Sequence, residues 1–156
     1  MSAPAMDLKA LVADRNTRIV VCCGSGGVGK TTTSAALAVA AAEAGRDVVV
    51  LTIDPARRLA QSLGLGELDN EPRTVETPGA SGQLSAMMLD MKRTFDDVVA
   101  AHSTPERAEQ IFANPFYQAL SSSFAGTQEY MAMEKLGQLR ASDQCCLLYT
   151  SPSPRD

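Results

Sequence analysis

The sequence has 156 residues, a length that fits at most one domain. Its net charge of −4 at pH 7 argues against a nucleic-acid partner, because proteins that bind nucleic acids usually carry a basic patch. Charged residues interrupt the apolar N-terminus and no apolar run approaches the roughly 20 residues of a membrane helix, so we expect a cytoplasmic protein without a signal peptide or transmembrane segment.

The first half of the chain predicts a strand, a helix and a second strand. Residues 1–17 are predicted as an N-terminal helical extension. Residues 18–23 (RIVVCC) lack polar alternation, which is typical of a strand buried on both faces. Residues 30–44 are rich in alanine and are followed by Gly45, a natural C-cap, so they predict a helix that ends before this glycine. The many small side chains predict that the helix packs closely on a sheet. Residues 47–53 (DVVVLTI) predict a second buried strand, which completes a right-handed βαβ unit.

The second half predicts a third strand followed by helices. We expect a short helix over residues 56–63, an irregular stretch over 64–82 and a strand over 84–90 (LSAMMLD). Three or four helices are predicted after this strand, around residues 92–102, 105–113, 116–124 and 126–140, with breaks at Asn-Pro and Ala-Gly. The predicted fold is α/β, with a parallel sheet, flanking helices and a helical insertion, and we expect it to be incomplete at the C-terminus.

The last residues differ in character from the rest. Residues 146–156 (CLLYTSPSPRD) lack an amphipathic period and end in a Ser-Pro repeat followed by Arg-Asp. They resemble the translation of a transposase-type sequencing adapter, and an ordinary disordered tail is the alternative. We therefore expect residues 145–156 to be a non-native tail.

The four cysteines form two adjacent pairs, Cys22–Cys23 and Cys145–Cys146. Neighbouring residues on a strand point to opposite faces, and neither pair has the C-x₂-C spacing of a zinc site. We interpret Cys22 and Cys23 as small buried hydrophobic residues on a core strand.

A glycine-rich stretch carries the clearest chemical signal. Residues 24–31 (GSGGVGKT) match G-x-x-x-x-G-K-[ST] at every fixed position, between a predicted strand and a predicted helix. Glycines let successive N–H groups point at phosphate oxygens, and the helix adds unpaired N–H groups and the positive end of its dipole. Lys30 would reach the β- and γ-phosphates, the Thr31 hydroxyl would bind Mg²⁺, and Thr32 could donate to the α-phosphate. The predicted nucleotide-binding residues are Gly24, Ser25, Gly26, Gly27, Val28, Gly29, Lys30, Thr31 and Thr32.

Hydrolysis would need further groups, of which Asp54 is the first candidate. It ends the second strand, at the edge where open α/β sheets bind ligands, and would position water; capping the next helix is the alternative. Lys30 and Asp54 are therefore the predicted catalytic residues. Arg57 and Arg58 could add positive charge or form a solvated face. The usual second acid for Mg²⁺ is missing, and Asp90 is a weak substitute.

Three segments, GSGGVGKTT, LTIDPARRLAQSLG and ANPFYQALSSSFAGTQEYMAMEKL, resemble the anion-transporting ATPases, the family of arsenite-pump and tail-anchored-protein targeting ATPases. The resemblance covers residues 18–140 and suggests an actinobacterial-type member. It implies that residues 18–144 are the N-terminal part of a P-loop ATPase domain that binds ATP and Mg²⁺. It also implies a homodimer or a family hetero-partner at the nucleotide face, with room for a peripheral contact to a membrane partner. The water-activating first-switch Asp of the family maps onto Asp54.

The chain departs from the family pattern in two places. The usual loop, GKGGVGKT, carries an additional lysine that reaches the partner's nucleotide, and Ser25 stands at that position. A nucleotide-binding regulatory module with little turnover is therefore an alternative, and a P-loop kinase or GTPase is another. No cysteine lies between Cys23 and Cys145, where metalloid-pumping relatives place theirs, which argues against arsenite. Several methionines could line a client groove, but we favour core filling; they are Met87, Met88, Met91, Met131 and Met133.

Overall fold

The computed structural model describes residues 5–53, 57–123, 127–141 and 146–150 of the chain. Helices and strands alternate along the first of these segments, and helices dominate the later ones. In chain order the elements are α1 (Leu8–Ala13), β1 (Ile19–Cys22), α2 (Lys30–Glu43), β2 (Val48–Thr52), α3 (Arg58–Ser62), β3 (Arg73–Val75), β4 (Leu84–Met88), α4 (Met91–Ala101), α5 (Pro105–Phe112), α6 (Pro115–Ser123), α7 (Thr127–Ala141) and β5 (Cys146–Thr150).

One five-stranded sheet organises the described residues, in the order β1-β5-β2-β4-β3. The first four strands of that order run parallel, and β3 pairs antiparallel with β4 at the far edge. Val50, at the centre of β2, lies opposite Leu148 of β5 and Ala86 of β4. The predicted α/β fold with a parallel sheet and flanking helices is confirmed, with β3 as an antiparallel addition.

Helices cover both faces of the sheet, as a parallel sheet requires. All five residues of β2 are buried, and alternate side chains join opposite core clusters. Val48 and Val50 pack against the alanine-rich α2, whereas Val49 and Leu51 pack against α7. Small side chains let α2 approach the sheet closely; the buried ones are Ala35, Ala38, Ala41 and Ala42. No helix in the described segments is both long and apolar enough to cross a bilayer.

The helix and strand predictions of the βαβ unit are confirmed. The helix predicted over residues 30–44 begins at Lys30 and ends at Glu43, and Gly45 follows with φ at 78°. The strands predicted over 47–53 and 84–90 form β2 and β4, and the four later helices all lie where the sequence predicts them.

The strand predicted over residues 18–23 is present as β1, but the prediction that it is buried on both faces is wrong. Side chains of β1 alternate between exposed and half-buried, with Ile19 38% and Val21 49% exposed. Among the described strands β1 pairs with β5 alone, so one edge has no neighbour. The predicted burial of both cysteines is also wrong, since Cys22 is half-buried and Cys23, which follows the end of β1, is exposed.

The sheet holds two strands that the sequence analysis did not predict. β3 spans three residues inside the stretch expected to be irregular. β5 comes from residues 146–150, which we expected to belong to a foreign tail, and it lies inside the sheet between β1 and β2. A strand flanked by two parallel strands needs no polar alternation, so the missing period of CLLYT does not distinguish a core strand from a tail. The predicted domain boundary at residue 144 stays a prediction.

Two of the methionines confirm the expectation of core filling. Met87 on β4 and Met131 on α7 are buried in the cluster between the sheet and α7. Met133, two residues after Met131 on the same helix, is 59% exposed instead. Because residues 131 and 133 point to different sides of a helix, the methionines form no continuous stripe.

The predicted N-terminal extension contains α1, and hydrogen bonds from two arginines connect it to the end of α2. Arg46, which is only 2% exposed, donates three hydrogen bonds to the extension. Its acceptors are the carbonyl oxygens of Val12, Asp14 and Thr17. In the opposite direction, Arg15 donates to the carbonyl oxygens of Ala44 and Gly45 at 3.2 and 3.3 Å. The described part of the extension, residues 5–17, therefore belongs to the folded unit.

Candidate functional site

The glycine-rich loop follows β1 at the carboxyl edge of the sheet and leads directly into α2. Its backbone is left-handed at Gly27 (φ 75°) and at Gly29 (φ 88°). A Cβ at either position would meet no atom of the described residues within 4 Å, the two chain neighbours aside. Glycine is therefore needed for the backbone conformation, because the chain itself leaves open space there. Phosphate oxygens are predicted to occupy that space.

The N-terminus of α2 is open towards this loop. Gly29 is the N-cap residue and offers no side-chain hydrogen bond to the first turn. The helical ladder begins with the Thr33 N–H, which donates to the Gly29 carbonyl at 2.9 Å. The earlier N–H groups of the first turn lack an intrahelical acceptor and carry the positive end of the helix dipole. This arrangement is suited to an anion.

Lys30 folds back across the loop. Its Nζ donates to the carbonyl oxygens of Gly24 and Ser25, each at 2.9 Å. An ammonium group carries three N–H donors, so two carbonyls leave it with capacity for another acceptor. No carboxylate in the described part of the chain pairs with Lys30. The positive charge is thus held at the loop by neutral partners, and an anion can compete for it.

The structure brings the nine predicted nucleotide-binding residues together in one loop and one helical turn. Thr31 is half-buried, whereas Thr32 and Ser25 are exposed. The donor set of loop N–H groups, an open helix end and one ammonium suits a polyphosphate. For Mg²⁺ the Thr31 hydroxyl is the described candidate, and in the described segments no group of three or more acidic, histidine or cysteine residues is placed to hold a metal ion. The roles of the two threonine hydroxyls stay predictions.

Asp54, the predicted water-positioning residue, lies outside the described residues. The next helix, α3, begins at Arg58 with Arg57 as its N-cap residue, so it starts two residues later than predicted. The water-positioning role of Asp54 and the capping alternative both stay predictions.

Arg57 and Asp90 have structural contacts of their own. Arg57 forms an exposed ion pair with Glu67 at 2.7 Å, which agrees with a solvated face. Asp90 caps α4, accepting a hydrogen bond from the Arg93 N–H at 2.9 Å. It follows β4, which lies three strand spacings from β1, about 14 Å across the sheet. Asp90 is thus too far from the glycine-rich loop to replace the second acid.

The position for that second acid can be located in the topology. The strand beside β1 is β5, whose carboxyl end lies next to the start of the glycine-rich loop. In the sequence β5 is followed by Ser151 and Pro152, and neither is acidic. Because β5 is not predicted from the sequence, no residue could be assigned to this position beforehand.

Comparisons with known proteins agree with this geometry. The family model described as "Anion-transporting ATPase" matches residues 17–148, which include the loop, α2 and part of β5. The ATPase get3 of Aspergillus terreus is 30% identical over 150 residues, covering 94% of this chain and 43% of its own length. The ATPase GET3 of Podospora anserina is 30% identical over 149 residues, with the same shares. The chain spans less than half the length of these relatives. It belongs to the anion-transporting ATPase family.

Proposed function

We propose that this chain binds ATP with Mg²⁺ at residues 24–32 and that the full-length protein hydrolyses ATP. The observation that carries the proposal is the position of Lys30. Its ammonium lies over the glycine-rich loop, at the open end of α2, and is held there by two carbonyl oxygens. Family membership supports ATP as the nucleotide.

Different residues of the chain would bind the nucleotide and take part in the reaction. Loop N–H groups and the first turn of α2 would hold the phosphates. Lys30 would exchange its two carbonyl acceptors for β- and γ-phosphate oxygens, a favourable exchange because hydrogen bonds between ionised groups are stronger. Thr31 would hold Mg²⁺, which neutralises phosphate charge when bound. Asp54 would orient the attacking water.

The same proposal includes the process that ATP hydrolysis drives and the binding partners of the protein. We infer coupling to anion transport or to targeting of a client protein, as the family resemblance implies. A homodimer, or a complex with a family hetero-partner, would form through the nucleotide face in the cytoplasm, with a peripheral contact to a membrane partner. Exposure of all residues from Gly24 to Gly29 supports this, because a second subunit could reach the loop.

Phosphate release by the full-length protein tests the hydrolysis proposal. Asp54→Asn should lower the rate at least about a hundredfold, the scale of losing a group that activates water, with ATP affinity within about twofold of the wild type. Asp97→Asn is the matched control, because Asp97 is an exposed acid on α4 away from the loop. An unchanged rate in Asp54→Asn would exclude Asp54 from the reaction.

Ser25 favours a second candidate, a regulatory module that binds nucleotide and barely turns it over. If Ser25 limits turnover, Ser25→Lys should raise the rate of phosphate release, and the wild type should release phosphate slowly. Fast turnover by the wild type, or no gain in Ser25→Lys, would remove this candidate. In the same assay, stronger competition by GTP than by ATP would favour the kinase or GTPase alternative.

A further inference from the structure

One side of β1 carries two large apolar side chains that the described elements leave partly exposed. Ile19 is 38% exposed and Val21 is 49% exposed. Successive side chains of a strand point to opposite faces, so these two residues share one face and Val20 and Cys22 share the other. Val20 and Cys22 pack against the cluster that contains the buried alanines of α2. The side of β1 with Ile19 and Val21, here called the open face of β1, therefore lies opposite α2.

The register of the sheet shows that the open face of β1 continues a surface that is buried elsewhere. Through β5, Ile19 lies in one row with Val49 of β2, and Val21 lies in one row with Leu51. At the β2 end of these rows Val49 is 2% exposed and Leu51 is fully buried, because both belong to the cluster formed with α7. Each row is thus covered by α7 at one end and open at the other.

The open face of β1 has room for one helix beside α7. On this side of the sheet α7 packs on β2 and β4. β1 and β2 are two strand spacings apart, about 9.5 Å. Packed helices lie about 8–10 Å from axis to axis. A helix over β1 would therefore be a direct neighbour of α7, and an apolar stripe along it would contact Ile19 and Val21.

β1 also lacks the features that protect an exposed strand at the edge of a sheet. Among the described strands it pairs with β5 alone, and its residues (IVVC) include no charged side chain and no proline. Natural edge strands usually carry such residues or are covered, and parallel sheets are normally covered on both faces. Because the chain spans less than half the length of its relatives, a full-length protein of their size has residues to form this cover.

We propose that the open face of β1 binds an amphipathic helix from the part of the full-length protein that lies outside this chain. This helix packs beside α7 and completes the second layer over the sheet. Since β1 leads directly into the glycine-rich loop, the helix supports the strand that carries the loop. The contact is one of apolar packing, so it does not depend on the proposed binding of ATP.

Thermal unfolding of the full-length protein tests whether the open face of β1 is covered. Val21→Thr keeps the β-branched shape and places a hydroxyl under the proposed helix, so it should lower Tm by about 3 °C or more. Val49→Thr is the same substitution at a covered position, and the two losses should agree within about twofold. Met133→Gln replaces a side chain that is 59% exposed and should change Tm by about 1 °C or less. A change in Val21→Thr as small as that in Met133→Gln would overturn the proposal.

Photo-crosslinking of the full-length protein identifies what covers the open face of β1. With p-benzoylphenylalanine in place of Val21, links are expected within one polypeptide, to residues outside this chain that lie three or four positions apart. A linked species of twice the mass would assign the surface to a second copy, and no link would leave it open; either result overturns the proposal. Lys30→Ala should leave the link unchanged, so a failure of ATP binding and a failure of this inference are distinguishable.

Discussion

The buried Arg46 gives the sharpest test of how the N-terminal extension is held. Arg46→Met keeps the length of the side chain and removes its three hydrogen bonds to the extension. At about 1 kcal/mol of net stability for each bond, the free energy of unfolding should fall by about 3 kcal/mol. For a chain of this size such a loss lowers Tm by roughly 6–12 °C.

Urea unfolding followed by circular dichroism measures this free energy. Arg15→Met is the matched control, because Arg15 is exposed and makes two longer bonds, at 3.2 and 3.3 Å, to the end of α2. It should cost about 1 kcal/mol or less. A loss below 1 kcal/mol in Arg46→Met, or equal losses in the two variants, would refute the reasoning, since burial would then add nothing to these bonds.

Two further predictions concern packing and pH. Gly82→Ala should lower the free energy of unfolding by at least about 2 kcal/mol, because its Cβ would lie 2.2 Å from the carbonyl oxygen of Arg46. Gly66→Ala is the control for the same urea assay. Its Cβ would meet nothing within 4 Å among the described residues, so this variant should be near neutral. The hydrogen bond from the Thr17 hydroxyl is the main cause that lowers the pKa of Asp14. Because the pKa of Asp14 is lower in the folded than in the unfolded chain, its charged form stabilises the fold at pH above the unfolded pKa, and this stabilisation is lost as pH falls. Asp14→Asn should therefore flatten the acid side of a Tm-against-pH curve between about pH 5 and 3. An unchanged slope would contradict this prediction.

The sequence predicted those parts of the fold whose signals are local. α2 and β2 carry their own patterns, since alanines and a C-terminal glycine define the helix and an unbroken apolar run defines the strand. The partner of a strand is not local. Residues 18–23 therefore predicted a strand buried on both faces, although β1 pairs on one edge alone among the described strands. In the same way, CLLYT gave no sign that it pairs between β1 and β2.

The candidate site follows the same division. The residue types of the glycine-rich motif determine the backbone conformation of the loop. The loop and the open end of α2 could therefore be predicted from eight residues. The contacts of Lys30 with two carbonyl oxygens could not, because they depend on how the side chain folds back. The pairing of Arg57 with Glu67 also has no sequence signature, because nine residues lie between them and the intervening helix and turn decide whether they meet.

The most direct test of the central claim is isothermal titration of ATP with Mg²⁺ into the full-length wild type, Lys30→Ala and Lys9→Ala. Lys9 is an exposed lysine on α1, so its removal controls for the loss of a positive charge. If residues 24–32 form the nucleotide site, Lys30→Ala should weaken binding by about a hundredfold or more, and Lys9→Ala should bind within about twofold of the wild type. Wild-type affinity in Lys30→Ala would contradict the assignment of this loop as the ATP site.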